Sequence, residues 1–309
     1  MFEKSLDTEK GTFYYKIRDE KVTITTYHGN DTEVVVPERI ENMPVRKVGK
    51  KAFMNSRQLR RVVLPDTVKK LGEWAFAYCG LLEEVEVPKR RVSIGKGCFL
   101  GDQRLLKIVL RQRAKSQSLE WMKYSVDYRE DVACLLAAVN GMEDGEYLFD
   151  TKEAGEDAWI QKWDMRLLKM IEEPDEKGYT NMILCGEEDA NCSLDIYVRD
   201  KRKKKVRFCF LRLLHDSGLL EDMRKCLQDY LLAHSVGQSS METWLVLKEE
   251  KGHIREYYEM YADLGCINEE NYDTTLADLG AKHPEMKAYF MRKHEQEKPD
   301  VDVFEGWTL

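Results

Sequence analysis

The sequence lacks the apolar runs and the signals that would place a protein in a membrane or outside the cell. Its longest uninterrupted apolar run, Val132 to Val139, is eight residues long, whereas a membrane-spanning helix needs about 20. The first ten residues, MFEKSLDTEK, contain no apolar core of an export signal. Only 7 of the 309 residues are proline and 43% are hydrophobic, which excludes collagen-like and fully disordered chains. We therefore expect a soluble cytoplasmic protein with no membrane partner.

Motifs for catalysis, cofactors and metal ions are also missing. The sequence contains no Walker loop, GxGxxG, HExxH, GxSxG or CxxC. Its eight cysteines are scattered, which favours reduced thiols over a disulfide framework. Its six histidines do not occur at metal-ligand spacing with cysteine or carboxylate residues, and the acidic segment 185–192 lacks the alternation of a calcium loop. We expect a protein that is not an enzyme and that uses no cofactor or metal ion.

A repeat of 23 residues is the clearest pattern present. Three copies superimpose without gaps, and they read VRKVGKKAFMNSRQLRRVVLP from Val45, VKKLGEWAFAYCGLLEEVEVP from Val68 and RVSIGKGCFLGDQRLLKIVL from Arg91. Five columns recur at this interval: Gly49, Gly72 and Gly95; Phe53, Phe76 and Phe99; Leu59, Leu82 and Leu105; Val62, Val85 and Ile108; Leu64, Val87 and Leu110. Because a single coil cannot bury its own apolar face, a period of this length with L-x-x-V-x-L predicts a leucine-rich solenoid of stacked coils.

Each copy is expected to supply one short strand to this solenoid. Leu59, Val62 and Leu64 would point inward, and Pro65, which has no amide hydrogen, would end the strand. The glycine column suits a tight bend, and the phenylalanine column would fill the opposite wall of the core. An open last coil would expose apolar side chains. The part of the chain that follows is therefore expected to cover it.

The segment from Val22 to Phe53, VTITTYHGNDTEVVVPERIENMPVRKVGKKAF, and the V-x-x-[VL]-G-x-x-A-F units after it resemble BspA-type leucine-rich repeat proteins, a class common in anaerobic and gut-dwelling bacteria. The resemblance covers about residues 11–110. The third copy departs from the pattern at Cys98 and at Gly101-Asp102, which marks it as the last coil. The resemblance implies protein binding, and many members of the class are surface adhesins that bind host proteins.

The outward positions of the repeat strands form a candidate binding face. In-register coils would place Arg60 beside Glu83, Arg61 beside Glu84, and Glu84 beside Lys107, and such pairs contribute a few tenths to about 1 kcal/mol. Two interpretations remain open: ion pairs that only stabilise the sheet, or a mixed-charge docking surface for a protein. We define the strand face by these outward positions: Arg60, Arg61, Val63, Glu83, Glu84, Glu86, Leu106, Lys107 and Val109.

The two parts of the chain differ in charge. Residues 1–113 contain 23 Lys and Arg against 15 Asp and Glu, a net charge of +8, and residues 114–309 contain 26 against 41, a net charge of −15. The parts could attract each other, or the basic part could recruit an acidic partner. Phosphate binding requires an uninterrupted positive face, so the glutamates of the strand face argue against a nucleic-acid partner there. The remaining basic residues of the repeats, such as Lys50, Lys51, Lys69, Lys70 and 89–91, are expected on solvated turns and edges.

After Arg113 the pattern becomes helical. Apolar residues at three- and four-residue spacing predict helices over 119–128, 131–140, 159–171, 219–233, 243–264, 271–279 and 284–293. Alternation over 192–197, followed by the basic run Arg199 to Arg207, predicts either a hairpin near 192–210 with a solvated basic turn or a loop that enters a helix. This part of the chain also resembles the helical tails that follow BspA-type repeats.

These observations predict an α+β multidomain chain. Residues 1–113 would form a short right-handed leucine-rich-repeat solenoid, and residues 114–309 an acidic, mostly α-helical domain. The expected function is a non-catalytic protein–protein interaction module with a protein partner. Two alternatives stay open: a surface or secreted adhesin that binds host protein, and a nucleic-acid binder that uses Lys201 to Lys205. Nucleic acid is the less expected partner, and the oligomeric state is not specified.

Overall fold

The computed structural model describes residues 2–111, 129–180 and 193–297. These residues divide between two compact units, each described separately below. The first unit comprises Met1–Met170 with His215–Leu219, and the second comprises Ile171–Leu214 and Leu220–Leu309. The predicted domain boundary after residue 113 lies inside the first unit, so the compact units do not divide where the repeat ends. The helix predicted over 119–128 falls outside the described residues.

Eleven strands are described in the first unit, and they form two sheets. They are β1 (Lys4–Thr8), β2 (Gly11–Arg18), β3 (Lys21–His28), β4 (Glu33–Val35), β5 (Arg39–Ile40), β6 (Met43–Val48), β7 (Arg61–Val63), β8 (Lys70–Leu71), β9 (Glu84–Pro88), β10 (Ser93–Ile94) and β11 (Lys107–Arg111). One sheet, which carries the strand face, has the order β11-β9-β7-β4, and the opposite sheet has the order β1-β2-β3-β6-β8-β10, with β5 paired to β6. The predicted solenoid is confirmed, although each coil supplies two short strands, one to each sheet, instead of one.

The repeat columns lie in the core as predicted. Val62, Val85 and Ile108 are fully buried, and the phenylalanine column is a continuous stack. Its ring centroids are 4.9 Å apart between Phe53 and Phe76 and 5.8 Å apart between Phe76 and Phe99. Neighbouring coils therefore repeat the same contacts along the solenoid.

The glycine column has a different cause from the tight bend that the sequence suggested. A Cβ on Gly72 would lie 2.5 Å from the backbone of Gly49, and one on Gly95 would lie 2.7 Å from the backbone of Gly72. Neither of these glycines has a positive φ. Glycine is required here because the backbones of adjacent coils approach too closely for any side chain.

The cover predicted for the last coil is supplied by residues within the first unit. Helix α1 (Glu130–Ala138) packs against β11, and helix α2 (Asp157–Glu172) adds the predicted apolar stripe with Trp159 and Trp163 buried. Phe149 continues the phenylalanine stack, 6.0 Å from Phe99. Polar contacts join the cover to the coil: Asn140 Nδ2 donates to the Phe99 carbonyl at 2.9 Å, and the Val92 amide donates to Thr151 Oγ1 at 3.1 Å.

The second unit is helical in its described part. Its helices are α3 (Leu194–Leu214), α4 (Glu221–Ala233), α5 (Glu242–Val246), α6 (Arg255–Asp263), α7 (Tyr272–Leu279) and α8 (Pro284–Glu297), with a π-helical turn at Leu247–Lys251. The single helix predicted over 243–264 is broken near Gly252. Among the helices that the structure describes, none has an apolar stretch that would traverse a lipid bilayer.

The hairpin predicted near 192–210 is wrong, because α3 runs through it from Leu194 to Leu214. The alternative, a loop that enters a helix, is right about the helix, but the helix already begins at Leu194. The alternation over 192–197 is too short to specify a strand. The basic run contains neither glycine nor proline, and lysine and arginine are good helix formers. The run therefore continues the helix where the sequence analysis placed a turn.

Candidate protein-interaction face

The strand face contains rows of side chains that cross the sheet from coil to coil. The register of the parallel strands places Glu33 beside Arg61, Arg61 beside Glu84, and Glu84 beside Lys107. The charges along this row alternate in sign. A second row contains Arg60 and Glu83, whose side chains form an ion pair at 2.6 Å, and then Leu106, which is 59% exposed. The structure thus brings the predicted charged residues together in the predicted order.

Arg61 is the centre of this arrangement. Its guanidinium donates to Glu84 at 2.8 Å and also to Glu33 and Glu86. Partial burial opposes the charge on Arg61, but hydrogen bonds and attraction from Glu84 and Glu33 outweigh it, and the pKa of the guanidinium is raised. Three carboxylates therefore hold one side chain in a fixed position.

Lys107 pairs beyond the repeats. Its ammonium group donates to Glu130 of α1 at 2.6 Å, and this hydrogen bond holds the pKa of the Glu130 carboxyl below its usual range. Glu130 lies 23 residues after Lys107, the interval that separates neighbouring coils. The alternating row thus ends on the helix that covers the last coil.

Two residues of the predicted face are not exposed. Val109 is buried because α1 packs against β11, with Val132 and Ala133 beside Val109 and Leu110. Glu86 is 9% exposed because the guanidinium groups of Arg61 and Arg111 lie over it. The accessible face is therefore smaller than the sequence predicted at the β11 end.

The face also includes residues that the sequence analysis missed. Val35 on β4 pairs with Val63 and is 59% exposed. Glu33 precedes it on the same strand and belongs to the alternating row. Both residues belong to a shorter unit that precedes the three gap-free copies. The signal available was the pair Val34 and Val36, which mark this unit as a related coil.

The basic run of α3 is neutralised within the second unit. Arg202 and Lys205 each bind Asp175 at 2.7 Å, Lys203 binds Glu249 at 2.7 Å, and Arg207 binds Glu250 at 2.6 Å. Lys205 is buried, and its ammonium group also donates to the carbonyls of 171 and 173. Burial raises the pKa of the Asp175 carboxyl, but the hydrogen bonds from Lys205 and Arg202 outweigh it and the pKa is lowered. The predicted solvated turn is therefore wrong, and these cations hold helices together.

Metal ligands do not cluster in the part of the chain that the structure describes, where no group of three or more His, Cys, Asp or Glu side chains could hold an ion. Cys79 and Cys134 are buried in that part of the chain. Burial raises the pKa of Cys79 to about 12 and that of Cys134 to about 11.

The comparison with protein families identifies the repeats. The family described as "BspA type Leucine rich repeat region (6 copies)" matches residues 30–125. Residues 30–125 are a BspA-type leucine-rich repeat region. The strand face therefore belongs to this repeat region, and the predicted resemblance is confirmed. The region is followed by the helices described above.

Solved structures with similar segments come from bacteria. A leucine-rich repeat protein of T. pallidum is 34% identical with a TM-score of 0.31, covering 31% of this chain and 46% of that one. A leucine-rich cell surface protein of Faecalibacterium prausnitzii A2-165 is 28% identical with a TM-score of 0.29, covering 33% of this chain and 29% of that one. A leucine-rich repeat protein of Bacteroides ovatus ATCC 8483 is 25% identical with a TM-score of 0.30, covering 34% of this chain and 29% of that one.

The chain spans less than half the length of each of these three proteins. The comparison with curated proteins gave no match.

Proposed function

We propose that this protein is a non-catalytic protein–protein interaction module and that the strand face is its docking surface. The observation that carries the proposal is an open parallel sheet with pre-ordered ion pairs and exposed apolar side chains. Val35 and Leu106 are each 59% exposed at opposite ends of this sheet. Between them, Arg60 and Arg61 are held by carboxylates of the next coil.

This combination suits recognition of another protein. Exposed apolar side chains stabilise a complex when a partner removes them from water. Charges arranged in a fixed pattern select the partner and its orientation. The ion pairs already restrict the long side chains, so less conformational entropy is lost on binding. The charged groups pair with one another along the sheet. A general acid–base pair would instead have to lie within reach of a bound substrate, so the arrangement supports binding without catalysis.

The state of the cysteines supports a cytoplasmic location. Cys79, Cys98, Cys134, Cys209 and Cys266 are buried free thiols, and free thiols persist in reducing compartments. Fractionation of the native organism with detection of the endogenous protein tests this location. Recovery from the cell surface would instead favour the adhesin alternative.

Affinity capture with a designed variant tests the docking face. Arg61 is a poor site for charge reversal because it also binds Glu33 and Glu86. The better variant combines Arg60→Glu with Glu83→Arg, which exchanges an isolated ion pair, and adds Leu106→Gln on the same row. The matched control exchanges Lys50 and Glu73, an ion pair at 2.8 Å that lies outside the strand face.

The tagged wild type and both variants are used to capture proteins from nuclease-treated lysate, followed by mass spectrometry. We expect a protein that is retained by the wild type and the control and lost by the strand-face variant. Equal retention by all three would show that the partner binds elsewhere. Binding of the purified partner, measured by calorimetry with the same three proteins, then separates direct from indirect capture.

A further inference from the structure

The opposite sheet of the solenoid carries a row of like charges on β6 and β8. On this sheet, Lys47 of β6 lies directly beside Lys70 of β8, and Ser93 of β10 follows in the same row. Lys69, which directly precedes β8, donates its amide to the carbonyl of Arg46 in β6, so these two residues are also neighbours. We call Arg46, Lys47, Lys69 and Lys70 the basic stripe. Of the residues expected on turns and edges, Lys69 lies just before β8 and Lys70 begins it.

The basic stripe differs from the strand face in lacking carboxylate partners. In the part of the chain that the structure describes, Lys47, Lys69 and Lys70 form no ion pair, and Arg46 donates to the carbonyl of Thr67. Glu73, which follows β8, is bound by Lys50 at 2.8 Å, and this hydrogen bond lowers the pKa of its carboxyl, with a smaller effect from Lys70 and Lys96.

The adjacent lysines of the basic stripe lower the stability of the opposite sheet when no ligand is bound. Like charges directly opposite on neighbouring strands repel each other and destabilise a sheet. On the strand face the same fold places opposite charges at corresponding neighbouring positions. The four cations of the stripe thus lie together on one surface, where an anionic partner would reduce the repulsion.

We infer that the basic stripe binds the phosphodiester backbone of a nucleic acid. Lysine and arginine side chains neutralise phosphates, and the stripe provides four of them on neighbouring coils. Lysine ammonium groups act as point charges that match phosphates without fixed geometry. The ammonium groups of Lys50 and Lys51 lie over the ring of Trp74, 4.6 and 5.2 Å from its centroid, so this indole already contacts two cations.

An acidic protein fits this surface less well. Protein interfaces are depleted of lysine and depend on buried apolar or aromatic anchors, whereas the stripe consists of lysine and arginine. The basic stripe is a different surface from the strand face, so this inference does not depend on the proposed protein docking.

Fluorescence anisotropy with purified full-length protein tests the inference. The probes are a labelled DNA duplex of about 20 base pairs and single strands of DNA and RNA of about the same length, titrated from about 50 to 200 mM salt. The variant is Lys47→Gln with Lys69→Gln and Lys70→Gln. The control is Lys10→Gln with Lys152→Gln and Lys162→Gln, which removes the same charge at exposed sites elsewhere in the first unit.

We expect the wild type and the control to bind at least one nucleic acid with similar affinity. The stripe variant should bind about tenfold or more weakly, and its slope of log affinity against log salt should be smaller by about 2 to 3. Circular dichroism checks that all three proteins are folded. Equal binding by all three proteins, or no binding by the wild type at low salt, would overturn the inference. Tighter binding of a poly-glutamate peptide or a sulfated polysaccharide than of any nucleic acid would overturn it as well.

Discussion

Replacement of Asp102 by asparagine should change how the stability of the first unit depends on pH. Asp102 lies 23 residues after Cys79, in the column that Ser56 begins, and it is 3% exposed. Its Oδ1 accepts a hydrogen bond from the Cys79 amide at 2.7 Å, whereas its buried Oδ2 has no hydrogen-bond partner among the described residues. Burial raises the pKa of this carboxyl to about 8, and the bond from Cys79 opposes the shift only in part.

The sign follows from proton linkage. In the unfolded chain Asp102 ionises near its ordinary pKa of 3.8, whereas the folded protein keeps the carboxyl neutral up to a pH of about 8. The folded state therefore binds more protons across this range, and its stability falls as the pH rises. At about 1.4 kcal/mol per pH unit, the loss from pH 5 to pH 8 is about 4 kcal/mol for this group. Asparagine keeps an acceptor for the Cys79 amide but cannot ionise.

The assay is urea unfolding at several pH values from about 5 to 9, read by a brief pulse of a thiol reagent and mass spectrometry of the peptide that contains Cys98. This thiol is buried in the last coil, so the readout reports on the first unit. The advantage of Asp102→Asn over the wild type should grow by several kcal/mol as the pH rises, reaching about 4. Glu9→Gln, at an exposed turn, serves as the control. A difference between Asp102→Asn and the wild type that stays constant with pH would refute the argument.

Three further predictions follow from packing and pairing. Gly72→Ala should lower the free energy of unfolding, measured by urea titration, by about 3 kcal/mol, because the new methyl group would collide with the backbone of the preceding coil. Gly80→Ala is the control and should have little effect in the same titration, because a Cβ there meets nothing within 4 Å. Lys205→Met should cost about 3 kcal/mol, measured by thermal unfolding, because it removes a partner from the half-buried Asp175. A fragment of residues 1–113 should aggregate in size-exclusion chromatography, and a soluble monomer that unfolds cooperatively would contradict the need for a cover.

The solenoid was predictable because stacking repeats one set of contacts at a fixed interval. The equal spacing of Phe53, Phe76 and Phe99 required their rings to stack, and the register that it implied placed Arg60 beside Glu83. The predicted strand face followed from the same register, without knowledge of any other part of the chain.

The remaining features depend on contacts that no local pattern encodes. Val109 looks like an outward residue on its strand, but a helix that begins about 20 residues later covers it. The glycine column indicates a position where the backbone needs glycine. Only the stacked coils show the reason, which is the close approach of neighbouring backbones and not a tight bend. The alternation over 192–197 matches a strand over too few residues to outweigh the helix-forming run that follows.

The cover of the last coil imitates a further coil without being one. Phe149 continues the ring stack beyond Phe99, and Glu130 supplies the next charge after Lys107. Because α1 packs against β11, the outer edge of that strand does not offer an open, flat template to a second molecule. Side chains of the cover thus make the contacts that another coil would make at this end of the solenoid. Their presence protects the protein against end-to-end polymerisation through its own solenoid.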